Sequence, residues 1–465
     1  MSNVAASIAN SPARRDIDNL IHPYTNLALH EEIGPLIIER GEGVHVFDSE
    51  GRQYIEGLAG LWCTSFGFNE NELIEAAIAQ MRKLPTYHGF GHKSVNPAID
   101  LAEKLKAVAP VPFSHVFFAN SGSEANDTVI KLVWYFNNSR GRPEKKKIIS
   151  RIKGYHGVTV AAASLTGLAP LHADFDLPIA RILHTSCPHH YRFGKDGESE
   201  EDFATRCAEE LEAMIQKEGP ETVAAFIAEP VMGAGGVIVP PKGYFEKIQA
   251  VLKRHDILMI ADEVICGFGR TGNFWGSQTF GIKPDILTCA KQLSSAYLPI
   301  SAVLVSEDIY QAMLDESRKQ GAFAHGFTYS GHPVPAAVGL RTLQLMEERD
   351  IMGHVRAVAP RFQQRLKALG DHPLVGETRG VGLIAGIELV ADKASHASFD
   401  GKKAVGPTAV KLAQGEGLIS RAVGGDTLAL CPPLIVTEEQ IDAIFDRMEA
   451  ALDKTEAWVK AEGLR

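Results

Sequence analysis

Pro284-Asp-Ile-Leu-Thr-Cys-Ala-Lys-Gln-Leu-Ser-Ser295 is the stretch on which the reading of this chain turns. Its run Asp285–Ala290 is apolar and strand-like, and it delivers Lys291 at its end. Upstream, Ile257-Leu-Met-Ile-Ala261 is a second such run, and it ends on Asp262 in Ala261-Asp-Glu-Val264. Near-continuous apolar runs of this length are expected of strands that crossover helices bury on both faces. His115–Ala119, Lys147–Arg151, Arg181–His184, Val223–Ala228 and Ala302–Val305 repeat the pattern, with amphipathic helical spacing between them. The alternation predicts an α/β fold with a mostly parallel sheet. Ligands of such sheets bind beyond the carboxyl ends of the strands, which is where Lys291 and Asp262 fall.

A lysine and a carboxylate at neighbouring strand ends meet the two requirements of pyridoxal phosphate. The amine forms a Schiff base with it. The carboxylate keeps a proton on the pyridine nitrogen, so that the ring accepts electrons. A lysine alone is more often a solvated surface charge, so the reading rests on the pair together with the neighbouring loops. Asn120-Ser-Gly-Ser-Glu-Ala125 follows one strand and opens a helix, offering backbone N–H groups and hydroxyls to a phosphate. The plainer reading is an N-cap at Ser123, ahead of Glu124 and Asp127. Gly154-Tyr155-His156-Gly157 turns tightly and presents a ring able to stack on a heterocycle. Glu229-Pro230 puts a carboxylate at another strand end, where a structural hydrogen-bond acceptor is the commoner outcome. Gly267-Phe-Gly-Arg-Thr-Gly272 matches a dinucleotide fingerprint, but Asn273-Phe-Trp-Gly276 follows it in place of a helical period, so that reading is declined.

Further out, Val44–Phe47 and Gln53–Ile55 flank Asp48-Ser-Glu-Gly51 and predict a hairpin. Glu70–Lys83 has helical spacing and stops before Pro85. Helical segments between His332 and Leu369 lead to a tail in which Thr378–Val390, Leu418–Arg421 and Leu428–Leu430 look like strands, and a last helix runs from about Glu438 to Lys460. These suggest a large domain over residues 66–334 and a smaller α+β domain built from residues 1–65 and 335–465.

The 465 residues are 45% hydrophobic and 22% charged, as in a soluble globular protein. A net charge of −10 argues against nucleic acid as a partner. The basic run Lys145-Lys146-Lys147 reads as a solvated loop before a strand. Six dispersed cysteines without a C-x-x-C pair indicate reduced thiols and a cytoplasmic protein, and no metal site is expected, Cys187-Pro-His-His190 lacking a second ligand cluster. Arg14-Arg15 is followed by Asp16 and Asp18 with no apolar leader, and no run is long enough to cross a membrane.

From Gly41-Glu-Gly-Val44 to the last helix, the chain resembles the class III (omega) aminotransferases, a fold type I pyridoxal phosphate family. The likeness is carried by Ala59-Gly-Leu-Trp-Cys63, Asn120–Glu124, Gly154–Gly157, Ala261–Gly272, Ala290-Lys291 and His325-Gly-Phe-Thr-Tyr-Ser-Gly-His-Pro333. It implies that Lys291 carries the cofactor covalently and that Asp262 pairs with the pyridine nitrogen. It also implies a phosphate cradle at Ser121, Gly122 and Ser123, with Val264 opposite Tyr155 across the ring. His156 and Glu229 would belong to the cofactor site, Glu229 near the 3-oxygen. Thr328 would reach the phosphate of a second subunit in a homodimer or a tetramer with shared active sites. Trp62 and Tyr155 would line the substrate pocket, and Arg421 would be the mobile arginine that binds a keto acid carboxylate, its movement eased by Gly424-Gly425. The implied reaction is a ping-pong transfer from a primary amine (an ω-amino acid, diamine or amino alcohol) to a keto acid such as pyruvate. Two positions depart from many relatives: Gln292 follows the lysine where they have glycine, and Met232 replaces a glutamine in Glu-Pro-x-Gln, making that pocket wall greasier. An aminomutase or a dialkylglycine-type decarboxylase shares the lysine and aspartate. A nicotinamide oxidoreductase is suggested by the declined glycine motif alone.

Overall fold

A computed structural model describes residues 10–465, and the first nine residues of the segment inspected for a leader lie outside the described residues. Two short helices, α1 (Pro12–Asn19) and α2 (Leu27–Ile33), precede a meander of β1 (Ile38–Glu42), β2 (His45–Asp48) and β3 (Gln53–Glu56). The β2–β3 turn is the expected hairpin, with Asp48 Oδ1 accepting from Glu50 N and Arg52 N.

The central sheet holds β4 (His115–Ala119), β5 (Lys147–Arg151), β6 (Ile182–Thr185), β7 (Val223–Ala228), β8 (Leu258–Asp262), β9 (Ile286–Cys289) and β10 (Ser301–Val305). Their spatial order is β4-β10-β9-β8-β7-β5-β6. Every residue of β7 is buried, as its unbroken apolar run requires. β10 runs antiparallel to both neighbours, β9 and β4. The segment from β9 to β10 is a short loop with a single 3-10 turn, Lys291–Ser294, and so returns the chain directly. A parallel pairing would need a crossover of a dozen residues or more. Ala228 pairs with Ala261 and Asp262 with Thr288, so the strands carrying Glu229, Asp262 and Lys291 end level with one another.

After β4 comes α3 (Gly122–Ser139), whose apolar face lies buried against the sheet. Beyond the sheet, α4 (Pro333–Glu348) and α5 (Ile351–Ala368) lead to the tail, which ends on α6 (Glu438–Ala461). Thr378–Val390 is not one strand but a hairpin, β11 (Val375–Val381) and β12 (Ile384–Leu389), turning at Gly382. Leu418–Arg421 is likewise divided. Leu418–Ile419 is β13 and pairs parallel with β3, whereas Arg421–Val423 is β14 and pairs with β15 (Thr427–Leu430). The chain changes sheet at Ser420, which the apolar pattern could not reveal because both halves alternate alike. Since β13 and β3 share a sheet, segments near the two chain ends build one unit. On that ground we propose the division into residues 66–334 and 1–65 with 335–465.

The lysine run 145–147 corrects its reading as solvated. Lys145 and Lys146 are buried, and their amines donate to the carbonyls of His255 and Trp134 at 2.9 and 3.1 Å. Lys147 donates to the Glu218 carbonyl and carboxylate. Two of these acceptors lie at helix C-terminal ends, where a cation is favoured and carbonyls lack intrahelical partners. Among the described residues, no helix is long and apolar enough to cross a membrane.

Candidate active site

The level ends of β7, β8 and β9 form the floor of a cavity of about 540 Å³. Asp262, buried there, has its carboxylate fixed from three directions. Asn126 Nδ2 donates to Oδ2 at 2.9 Å, His156 Nδ1 lies 2.8 Å from the same oxygen, and Val264 N donates to Oδ1 at 3.1 Å. Asn126 also donates to the His156 carbonyl at 2.7 Å, which ties the helix, the loop and the strand end together. Lys291 opens onto the same cavity. Burial lowers its pKa from the ordinary lysine value, because the low-dielectric surroundings disfavour the ammonium.

Lys291 adopts φ of +48°, a left-handed conformation that costs energy for a residue with a side chain. Gln292 explains how it is held. Its buried amide donates to the carbonyls of Ile265 and Gly267, both at 2.9 Å, and its Oε1 accepts from Ser65 Oγ at 3.0 Å. The departure at 292 therefore fastens the lysine loop to the Gly267–Gly272 turn. That glycine-rich stretch packs against the tail, where Arg270 Nη1 donates to the carbonyls of Pro432 and Leu383.

Glu229, fully buried, accepts from Tyr155 N and Gly233 N, one carboxylate oxygen each, at 2.9 Å. It fixes two loops, in line with the acceptor reading. Burial pushes its pKa upward. The N-terminus of α3 supplies the side wall. Ser121, not Ser123, is the N-cap, with its Oγ accepting from Glu124 N at 3.2 Å. Ser123 lies one residue inside the helix, and its Oγ accepts from Val158 N at 3.0 Å. Gly157, at φ +132°, packs so closely on Ser123 that a Cβ would stand 2.6 Å from its Oγ. Tyr155 and Val264 also line the cavity.

The mouth draws on other parts of the chain. Trp62 is buried and follows a kinked turn in which Ala59, Gly60 and Trp62 all have positive φ. Arg421 stands at the head of β14, its guanidinium 5.8 Å from the centre of the Tyr24 ring. Tyr24 Oη donates to Tyr155 Oη at 3.3 Å. Burial and Tyr24 push the Tyr155 phenol well above its usual value. Gly424 is not a loose hinge, since a Cβ there would meet the Gly235 carbonyl oxygen at 2.3 Å, whereas Gly425 faces open space.

Ser121, Gly122, Ser123, Tyr155, His156, Glu229, Asp262, Val264, Lys291, Trp62 and Arg421 thus meet at one cavity. Thr328 does not; it is exposed on the loop before α4. Nor does Met232 form the pocket wall, for it is buried behind it against Cys187 and Ile238. Asn126 and Tyr24 were missed. A polar residue on the apolar face of α3, between Ala125 and Val129, was the available signal for Asn126. Nothing in the pattern around Tyr24 marks it.

The residues fit pyridoxal phosphate: a lysine amine, a carboxylate with one oxygen doubly held, a cavity wall that includes Tyr155 and Val264, and N–H groups at a helix start. The comparisons agree. The "Aminotransferase class-III" family model matches residues 28–452. Gamma aminobutyrate transaminase 1, mitochondrial, of Solanum lycopersicum is 51% identical over 443 residues, covering 95% of this chain and 86% of that protein. The structure of the omega transaminase from Pseudomonas jessenii in complex with PMP superposes with a TM-score of 0.95 at 56% identity, covering 97% of this chain and 99% of the other. A transaminase solved with L-ala gives 0.90 at 60% identity, over 91% of this chain and 100% of its own. The chain belongs to the class III aminotransferases, and its fold is fold type I. It is a pyridoxal phosphate-dependent omega-transaminase, and the mutase, decarboxylase and oxidoreductase readings are not favoured.

Proposed function

We propose that the chain moves an amino group from a primary amine of the ω-amino acid type to pyruvate, in alternating half-reactions, as a cytoplasmic homodimer. One observation carries the acceptor: the guanidinium of Arg421 stands at an aromatic mouth, rests on the Tyr24 ring, and makes no ion pair among the described residues. A carboxylate is the bidentate partner such a group lacks. For the donor, 4-aminobutyrate is the first ω-amino acid to test, because relatives about half identical are named for it.

Pyridoxal phosphate, when bound, supplies an electron-accepting ring that acidifies the carbon bearing the amino group. The residues do the rest. The N–H groups and hydroxyls at Ser121–Ser123 would hold the phosphate. Tyr155 and Val264 would confine the ring, and Asp262, its carboxylate oriented by Asn126 and His156, would hold the proton on the pyridine nitrogen. Lys291, neutral at lower pH than a solvated lysine, serves as the attachment amine. Its Nζ would then accept the proton from the substrate carbon and deliver it to the cofactor carbon that is joined to the amino nitrogen, so that the nitrogen stays with the cofactor. Thr328 completes the phosphate site of the partner subunit. In support, Tyr87, Phe90 and Tyr329 are all exposed, an apolar set of the kind that subunit interfaces cover. The six free thiols suit a reducing compartment.

Spectral titration tests the reading. Amine alone should discharge the near-visible absorption of the bound cofactor, and pyruvate alone should restore it. Carbon dioxide release, or turnover only with both substrates present together, would overturn it. Sedimentation at assay concentration tests the dimer, and a fully active monomer would exclude it.

A further inference from the structure

Asp16, His22 and His30 converge away from the cavity floor, on the segment that carries Tyr24. His22 Nε2 lies 2.8 Å and His30 Nε2 3.0 Å from the same oxygen, Asp16 Oδ2. The two imidazoles are packed with centroids 4.1 Å apart, so neither ring reaches its place independently of the other. Asp16 comes from α1, His22 from the turn after it and His30 from α2. We propose that these three side chains form a site for a first-row divalent cation of the zinc type, one ion per chain, clamping α1 to α2.

The ligand chemistry is that of a two-histidine, one-carboxylate set, which suits zinc and its neighbours in that row. Ligand atoms around a tetrahedral zinc, at about 2.0–2.2 Å from the metal, stand roughly 3.3 Å apart. The observed separations of 2.8 and 3.0 Å need to open by only a few tenths of an ångström. An imidazole that carries its proton on Nδ1 offers the Nε2 lone pair to an ion, so no group has to leave. The side chains of His22, Asp16 and His30 are 30%, 15% and 10% exposed, which gives an ion a path in and leaves a fourth position for water. Local charge permits it: Arg14, on the same helix, is already engaged by Asp18.

A second three-ligand cluster, His189 with Glu377 and Glu388, shows what such a group looks like when it is not a metal site. There Arg379 pairs with both carboxylates and Arg192 with Glu388, so the negative charge is already matched by guanidinium groups. Among the described residues, no arginine or lysine forms an ion pair with Asp16.

The consequence reaches the substrate mouth. Residues 20–26 span the gap between the two helices and hold Tyr24 against Tyr155 and beneath Arg421. An ion at the base of this loop would fix the side of the mouth that Tyr24 forms.

Equilibrium dialysis of the cofactor-loaded full chain against zinc chloride, after chelator treatment, tests the site. One zinc per chain is expected, with affinity falling tenfold or more in His22→Gln and in His30→Gln. Cobalt(II) should give visible d–d absorption that both variants lose, and cofactor absorbance and circular dichroism check that each variant is folded. Zinc bound equally well by both variants, zinc lost instead on Glu377→Gln, or no stoichiometric binding by the parent chain would each overturn the proposal.

Discussion

Glu229, Asp262 and Lys291 stand at one edge of one sheet, whereas Tyr24, Trp62 and Arg421 come from three segments far apart in the chain. The floor is built from strand ends in fixed register, and its polar groups are bonded several times over. Asp262 meets three partners, Glu229 two, and the lysine loop is fastened through Gln292. The mouth rests on single contacts: one phenol–phenol hydrogen bond, one guanidinium over a ring, and a turn with three positive φ values. The difference separates two tasks. Chemistry common to every substrate needs a preorganised floor, and a pocket that takes an amine and then a keto acid needs a mouth that can adjust.

The comparison can be broken most directly at Lys291. Lys291→Ala should bind the cofactor yet lose transamination by roughly a thousandfold or more, since attachment and proton transfer both go. Wild-type-like turnover at saturating cofactor would remove it from the floor. Asp262→Asn should follow at about a hundredfold, because a loss of some two pKa units of bias on the ring proton is about 2.7 kcal/mol. Substrate proton exchange measured in deuterated water checks this, and an unimpaired rate would contradict the role.

The mouth has a pH-dependent support. Glu56 Oε1 accepts from Leu58 N just ahead of the Trp62 turn, and burial lifts its pKa from 4.5 to about 7. A raised carboxyl binds its proton more tightly in the folded state. Its stabilisation is therefore complete below about pH 4.5 and is lost as pH rises through about 7. Glu56→Gln should remove that slope and gain about 3 kcal/mol over the parent above pH 7. Denaturant melts at pH 5 and pH 8 measure it, and parallel pH profiles for the two proteins would refute it.

Smaller effects sharpen the contrast. Arg421→Ala should weaken the pyruvate half-reaction about ten- to a hundredfold, the worth of a charged hydrogen bond of roughly 1.5–3 kcal/mol, and spare the half with an uncharged amine. Single-turnover kinetics separate the halves, and equal damage to both would mean that the arginine serves the floor as well. Gln292→Gly should cost about 1–3 kcal/mol of stability by leaving buried carbonyls and Ser65 unpaired. A melting temperature equal to that of the parent would show that the lysine loop holds its strained φ without the glutamine.

The floor was legible because strand burial writes itself into consecutive residues. Val223–Ala228 is apolar and buried without interruption, and Glu229 follows the run. The Asn120–Ala125 loop does open a helix, but the plainer reading set the capping serine two positions too late, at Ser123 in place of Ser121. Both serines suit a cap by composition, and only the path of the chain into α3 separates them. The lysines at 145–147 were misread for a related reason: charge is visible in sequence, whereas the carbonyls that lysine amines find are not.

By itself, then, the sequence determined the α/β class, the order of the strands along the chain, and the lysine, aspartate and helix start that define the floor, since each depends on residues close together in the chain. The tertiary structure alone decided which sheet Leu418–Val423 joins, that Gln292 fastens the lysine loop, that Met232 lies behind the wall, and that Tyr24 meets Tyr155 and Arg421. These are contacts between segments tens to hundreds of residues apart or between faces of equal hydrophobicity, and no local periodicity records which partner a buried face will find.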